Sequence, residues 1–159
     1  MLEPREMGFE GYVPLRALPR GCQEVPPEGG VYCVLAENPK PEFADTSTGG
    51  WFKGRNPSVD LNQLEAKWVN DTSTLYIGKA KSLRKRIDQF ARFGRGEPIG
   101  HWGGRYLWQL TNPDVLQIAW KIDPNPAQAE IDLISGFIDV YGTLPFANLN
   151  RPRRAGRPA

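Results

Sequence analysis

The stretch TLYIGKAKSLRKRIDQFARFG, residues 74–94, predicts a β-strand that passes through a glycine into an amphipathic helix. Its first part, TLYIG (74–78), is rich in the β-branched and aromatic side chains that favour strands. In the second part, KSLRKRIDQFARFG (81–94), apolar residues recur at the spacing of one helix face. These residues are Leu83, Ile87, Phe90 and Phe93. Ser82 is a suitable N-cap for this helix, and Gly94 is a suitable end.

A second long helix is predicted to begin at Pro126 and to end at Gly142. Asn125 is a suitable N-cap, and Gln128 completes the pattern of a capping box. On a helical wheel one arc, roughly 180° wide, is apolar; it contains Leu133, Ile134, Phe137, Ile138, Val140 and Tyr141. The opposite side carries the polar residues expected of a solvated face, namely Asp132, Ser135 and Asp139.

The remaining segments complete a small α/β (α+β) domain. Strands are predicted at GGVYCVLA (29–36), RYLWQL (105–110) and VLQIAWKI (115–122), and a short helix capped at Asp60 is predicted at DLNQLEAKWV (60–69). The order strand, insert, strand, helix, strand, helix predicts a small mixed, mainly antiparallel sheet flanked by helices.

The domain organisation follows from shifts in composition along the chain. Residues 1–28 are rich in Pro and Gly and are expected to form an irregular arm. The domain itself is predicted at 29–150, with a long polar insert at 37–73. Residues 151–159 form a basic tail that is expected to be disordered and to bind phosphates nonspecifically.

Composition limits the class of protein. The chain has 159 residues, of which 40% are hydrophobic, and this suits one globular domain with a real core. Its N-terminus carries acids, and its apolar runs are too short to span a membrane, so we expect a cytoplasmic protein that does not insert in membranes. Cys22 and Cys33 do not form a CxxC pair, and with a single histidine they cannot supply an ordinary zinc site. Both cysteines are therefore expected to be reduced, and Cys33 to be buried.

Positive charge is concentrated in one segment although the net charge is only +2. Between Lys79 and Arg95 seven bases accompany a single acid, Asp88. Local basic density of this kind favours contact with a phosphate backbone. The alternative is that the segment is simply a solvated surface.

Two charged residues fall on the wrong side of their predicted helices. Glu130 lies near the middle of the apolar arc, one turn before Ile134, and Arg86 lies between Phe90 and Phe93. A long side chain can extend from an apolar face to solvent, and two such charges can also form a buried ion pair, which is a weak source of stability. Alternatively both line a cleft, where a carboxylate suits Mg²⁺ and a guanidinium suits a phosphate.

The ordered motifs Gly30-Val31-Tyr32 and Tyr76-Ile77-Gly78 resemble those of the GIY-YIG nuclease family. The wording YIGKAKSLRKRI is especially similar to the N-terminal nuclease domain of the bacterial excinucleases. The resemblance continues through Arg86 and Glu130 to Asn148 and covers about residues 29–150. It implies a metal-dependent nuclease.

The resemblance also implies a role for each matching residue. Tyr32 and Tyr76 correspond to the tyrosines that orient or deprotonate the attacking water, and Lys79 to a lysine near the nucleophile. Arg86 corresponds to the arginine that holds the scissile phosphate. Glu130 corresponds to the single carboxylate ligand of Mg²⁺ (or Mn²⁺), and Asn148 to an asparagine that supports the site. Which tyrosine acts as the base, or whether Lys79 replaces it, is left open.

The chain departs from the family pattern in three places. Val31 replaces isoleucine, which is a harmless exchange. Tyr32 and Tyr76 lie 44 positions apart, so the insert must leave the sheet and return. Phe90 stands where members often carry His or Tyr, and it cannot hydrogen-bond a water or a phosphate.

Other residues are candidates for nucleic-acid contact because they are basic or aromatic and lie near the motifs. They are Lys81, Arg84, Lys85, Arg92, Trp51, Lys53, Arg55 and His101. For Trp51 and its neighbours the alternative is a loop pinned to the domain by its aromatics. For His101 a structural role is the alternative. Trp108 and Trp120 are expected in the core.

These observations predict a Mg²⁺- or Mn²⁺-dependent DNA endonuclease, either of repair or recombination type or restriction-like. The alternative is a catalytically silent nucleic-acid-binding module that keeps the fold. DNA is the expected partner, although RNA also fits, and a homodimer or a repair protein could supply specificity that a single small domain lacks.

Overall fold

The computed structural model describes residues 3–152, so residues 153–159 of the predicted basic tail lie outside the described residues. One four-stranded sheet is formed by β1 (Glu10–Pro14), β2 (Gly30–Leu35), β3 (Thr74–Ala80) and β4 (Gln117–Ile122), in the order β1-β4-β2-β3. Three α-helices accompany it: α1 (Leu61–Lys67), α2 (Leu83–Gly94) and α3 (Pro126–Tyr141). The predicted α/β (α+β) class is confirmed, but the sheet is antiparallel in every described pairing rather than mixed.

The two faces of the sheet carry separate cores, because side chains alternate along a strand. On one face Tyr32, Val34 and Tyr76 pack with the apolar side of α2. On the other face Val31 and Ile77 belong to a core with apolar residues of α3. The two long helices therefore cover opposite faces. Within residues 3–152 no helix is both long and apolar enough to cross a membrane.

The N-terminal arm is not wholly irregular, which corrects the prediction for residues 1–28. Its strand β1 pairs with β4, with a register shift between Gly11 and Val13. A Cβ at Gly11 would lie 2.6 Å from the Trp120 ring, and the residue has φ +98°, so glycine is required there. The Gly and Pro of EGYVP concealed the strand in the sequence, and both are tolerated because β1 lies at the sheet edge.

The predicted strand RYLWQL does not form, because Trp102–Gln109 is a 3₁₀-helix. Here Trp108 is fully buried against α2, and a Cβ at Gly94 would lie 2.3 Å from its ring. The strand predicted at 115–122 begins only at Gln117, because Pro113–Val115 forms another 3₁₀ turn.

The helix boundaries agree with the predictions better than the caps do. Ser82 and Asn125 accept the expected bonds from Lys85 N and Gln128 N. Asp60 occupies its N-cap position but makes no side-chain cap bond. Asn125 N donates to Asp123 Oδ1 (2.8 Å) and not to the Gln128 side chain, so the predicted capping box does not close.

Burial along the two long helices follows the wheels with few exceptions. All four apolar residues assigned to the inner face of α2 are buried. On α3 Val140 is 52% exposed, although the wheel placed it on the apolar side. Cys22 and Cys33 are both buried and free, and Trp108 and Trp120 lie in the core as expected.

The insert leaves the sheet after Leu35 and returns at Thr74, and these two residues are register partners. Its path is held by Gln109, which is fully buried. The Gln109 amide nitrogen donates to Ala44 O (3.0 Å) and Val59 O (2.8 Å), and its oxygen accepts from Val59 N (2.9 Å). One side chain thus joins two distant parts of the insert to the 3₁₀-helix.

We expect Gln109→Leu to lower the free energy of unfolding by about 3 kcal/mol, because the variant leaves backbone groups of Ala44 and Val59 without their partner. Urea titration followed by tryptophan fluorescence measures the change. The matched control is Gln23→Leu, at an exposed residue whose side chain makes no such bond in the described structure. Equal midpoints for the two variants would contradict the role given to Gln109.

Candidate active site

The two motif tyrosines meet on one face of the sheet. Tyr32 on β2 pairs with Gly78, and Val34 pairs with Tyr76 on β3, so the tyrosines are diagonal neighbours. Their ring centroids are 6.0 Å apart. A Cβ at Gly78 would lie 2.5 Å from the Tyr32 ring, so the glycine makes room for that ring. The backbone pairing of β2 with β3 therefore determines where both tyrosine rings lie.

His101 is part of the same cluster. Its Nε2 and the Tyr32 hydroxyl are joined by a buried hydrogen bond of 3.0 Å, and its ring stacks on Phe90 with centroids 3.9 Å apart. Burial, and then the nearby Arg86, hold the pKa of His101 well below its ordinary value, so the imidazole is neutral. The His101 side chain is fully buried, which favours the structural alternative over the predicted contact with nucleic acid.

Arg86 brings positive charge to this cluster from α2. Its Nη1 donates to Gln89 Oε1 (3.2 Å) and to the carbonyl of Gly100 (3.3 Å). Burial raises the pKa of Tyr32 and of Tyr76, and in both cases Arg86 acts in the opposite direction. The guanidinium is therefore close enough to both phenols to affect their ionisation.

Glu130 reaches the site from α3, on the opposite face of the sheet. Its side chain is only 13% exposed and lies 3.8 Å from the Lys79 ammonium, which is 45% exposed. Burial raises the pKa of Glu130, and Lys79 lowers it in part. The carboxylate in turn raises the pKa of Tyr76. Because β3 is an edge strand, groups from both faces can meet beside it, and Arg86 and Glu130 both act on the pKa of Tyr76, in opposite directions.

Asn148 closes the free edge of β3. Its Oδ1 accepts from Ile77 N (3.0 Å), and its Nδ2 donates to Ile77 O (2.9 Å). Ala147 N donates to Leu75 O (2.9 Å), which extends the same pairing. Both polar atoms of the Asn148 side chain are bonded to the backbone of Ile77, so Asn148 supports the strand that carries Tyr76.

Two clefts adjoin at the Lys79–Glu130 pair. The first, of about 680 Å³, is lined by Tyr76, Glu130 and Asn148 together with the cations Arg55, Lys67 and Arg105. The second, of about 740 Å³, is lined by bases of the YIGKAKSLRKR segment; these are Lys79, Lys81, Lys85 and Arg86. Positive charge thus lies on both sides of the carboxylate.

The other predicted nucleic-acid contacts divide into engaged and available side chains. Arg84 donates to the carbonyls of Val25 (2.8 Å) and Gln23 (3.1 Å). Arg92 pairs with Asp88 and Glu97. Both are therefore partly committed to the fold, and neither lines the two clefts. Trp51 is 58% exposed, and Lys53 is exposed at a turn.

Several residues that line the first cleft were not predicted as site residues from the sequence, among them Lys67, Trp102 and Arg105. The segment WGGR (102–105) places a base shortly after an aromatic residue. The same kind of pattern predicts nucleic-acid contact for Trp51 and Arg55. The pattern in WGGR was overlooked because the segment that contains Arg105 was assigned to a strand. Lys67 gave no signal beyond its charge.

The arrangement of carboxylates limits how a metal could bind. Within residues 3–152 no three or more His, Cys, Asp or Glu side chains are grouped to hold a metal ion. Mg²⁺ is often bound through one or two carboxylates, with waters and substrate phosphates filling its other positions. The largely buried Glu130 carboxylate could hold a Mg²⁺ or Mn²⁺ ion that is shared with a phosphate substrate.

Neutral His101 makes stability depend on pH. The unfolded chain takes up a proton below the ordinary pKa of about 6.5, whereas the folded state resists protonation, so stability is lost as pH falls through this range. We expect a slope of up to about 1.4 kcal/mol per pH unit in urea unfolding, and a smaller slope in His101→Gln. Parallel profiles for the two proteins would show that His101 is not held neutral.

Comparison of this chain with protein-family models, with curated proteins and with solved structures finds no significant match. The GIY-YIG resemblance thus depends on the motif residues alone and stays a prediction. The geometry around Tyr76 is the basis on which a function can be argued.

Proposed function

We propose that this protein is a divalent-metal-dependent endonuclease of GIY-YIG type that hydrolyses phosphodiester bonds in DNA. One observation carries the proposal: Tyr76 and the largely buried carboxylate of Glu130 line the same open cleft, and the Arg86 guanidinium acts to lower the pKa of Tyr76. Hydrolysis of a phosphodiester needs an oriented water and positive charge where negative charge develops. The cluster offers a group for each need.

Arg86 is suited to hold the scissile phosphate. Only its Nη1 is engaged in the described bonds, so Nε and Nη2 are free to donate to phosphate oxygens. The bond to the Gly100 carbonyl fixes the guanidinium beforehand, which reduces the reorganisation needed during reaction.

We assign the two phenols different roles. Tyr32 is fully buried and bonded to neutral His101, so it stays protonated and supports the site. Tyr76 reaches the cleft and orients the attacking water. Burial raises its pKa, so loss of its proton depends on added positive charge nearby. Glu130 would hold Mg²⁺ or Mn²⁺, which would stabilise charge on the phosphate as a Lewis acid.

The Lys79–Glu130 contact of 3.8 Å favours a second candidate, a nucleic-acid-binding module without catalysis. A carboxylate neutralised by lysine needs no metal ion. In an active enzyme Lys79 must release Glu130, and its exposed ammonium is then free to contact the substrate near the nucleophile. The two buried free thiols accord with a reducing cytoplasmic location.

We expect Glu130→Gln to reduce nicking of supercoiled plasmid in Mg²⁺ or Mn²⁺ by more than about 100-fold, because the variant removes the charge that would bind the metal. Gel electrophoresis measures the rate, with EDTA as a second control. The matched control is Asp139→Asn, at an exposed position of α3, and it should nick as the wild type does. Nicking that survives in Glu130→Gln would remove the carboxylate from the mechanism.

Arg86→Lys should lower kcat by about 100-fold with little change in KM, since lysine keeps the charge but loses the paired donors that a phosphate in the transition state requires. Steady-state rates on a labelled oligonucleotide measure both constants. Arg20→Lys, at an exposed ion pair with Glu97, is the control. A change in KM alone would assign Arg86 to binding only.

A further inference from the structure

The first cleft gathers three cations from separate segments of the chain. Arg55 and Lys67 both come from the insert, Lys67 at the end of α1, and Arg105 comes from the 3₁₀-helix. Among the described residues that line this cleft, Glu130 is the only acid. None of the three cations forms an ion pair with a carboxylate in residues 3–152. The cleft therefore has three cations and one acid, which leaves an excess of positive charge.

Partial burial and mutual repulsion disfavour the charged forms of these side chains, and a bound anion would offset both effects. Burial lowers the pKa of Arg105, with Arg55 adding to the effect by repulsion. Burial lowers the pKa of Lys67 as well. Both side chains are partly desolvated, and like charges held close together raise the local potential for a negatively charged ligand.

Trp102 fixes the two guanidinium groups. The guanidinium carbons of Arg55 and Arg105 lie over its ring, 5.1 and 4.9 Å from the centroid. Arg105 also donates to the Trp102 carbonyl (3.2 Å). Stacking on an aromatic face leaves the N–H edges of a guanidinium directed outward, where they can bind phosphate oxygens.

The insert presents Arg55 on a fixed support. Phe52 and Arg55 exchange backbone bonds of 3.3 and 3.0 Å across a two-residue turn. The turn residues Lys53 and Gly54 have φ +51° and +73°, as in a tight hairpin turn with both central residues left-handed. Phe52 packs against Gly100, since a Cβ there would lie 3.1 Å from its ring. The carbonyl of Gly100 is the one that holds Arg86.

We propose that Arg55, Lys67 and Arg105 form a second phosphate-binding subsite for the DNA strand, next to Glu130 and apart from the cleft that contains Lys81 and Lys85. The subsite rests on the proposed function and extends it: the strand crosses the Lys79–Glu130 pair and is held on both sides of the scissile bond. The insert then serves to bind substrate.

The test measures binding of a fluorescein-labelled DNA oligonucleotide by anisotropy, in EDTA and over a range of NaCl concentrations. We compare wild type with the triple variant Arg55→Gln, Lys67→Gln, Arg105→Gln. The control triple variant is Arg16→Gln, Arg20→Gln, Lys40→Gln, which removes the same charge at residues outside both clefts. Each lost phosphate contact lowers the slope of log K against log salt by about 0.7–0.9.

The expected result is a slope smaller by about 2 to 3 in the subsite variant and little changed in the control. Equal slopes in the two triple variants would overturn the proposal. Should the subsite variant fail to fold by circular dichroism, the single variant Arg55→Gln decides, since Arg55 is exposed. The slope of log K against log salt should then fall in magnitude by about 0.7–0.9, which is the contribution of one phosphate contact. An unchanged slope would overturn the proposal.

Plasmid nicking by wild type in Mg²⁺ separates this inference from the proposed function. If the wild type nicks plasmid and the two triple variants have equal slopes, the nuclease proposal is supported and the subsite proposal is overturned. A reduced slope without nicking on any substrate supports the subsite and removes the hydrolase. A wild type that binds no DNA, or a slope that changes only with an RNA strand, would overturn the subsite as assigned.

Discussion

The close approach of the Tyr32 ring to the backbone of Gly78 is the constraint on which the site depends. Any side chain at position 78 would collide with the ring, so the contact fixes the register of β2 against β3. That register sets Tyr76 diagonal to Tyr32. It also places the start of α2, directly after β3, where Arg86 reaches both phenols. The motif Tyr76-Ile77-Gly78 thus influences the positions of residues outside the motif, on β2 and on α2.

The free edge of β3 is the second determinant. An unpaired strand edge is ordinarily a liability, and here Ala147 and Asn148 satisfy it with backbone and side-chain bonds. The edge is also where the two sheet faces become continuous, so that Arg86 from one face and Glu130 from the other both act on Tyr76. Asn148 therefore supports the strand on which this convergence depends.

Elements with a strong local pattern could be predicted from the sequence. β2 and β3 are short runs rich in β-branched and aromatic residues, whereas α2 and α3 have apolar residues at helical spacing. The inward positions of Arg86 and Glu130 could be found as interruptions of that spacing. Prediction failed where a contact distant in sequence decides the local structure: β1 forms by pairing with β4, and residues 105–109 belong to a 3₁₀-helix packed on α2. The burial of His101 could not be predicted from the sequence, because a single histidine forms no periodic pattern. It arises from contacts with Phe90 and Tyr32.

The insert begins and ends at residues that face each other across two adjacent strands, Leu35 and Thr74. In topological terms it is a hairpin loop, however much structure it contains. The entropy of closing such a loop grows only with the logarithm of its length, by about 0.6 kcal/mol per doubling. Loop-closure entropy alone therefore sets little limit on the length of this segment or on the surface it offers to a substrate, and contacts such as those of Gln109 are what tie the segment to the domain.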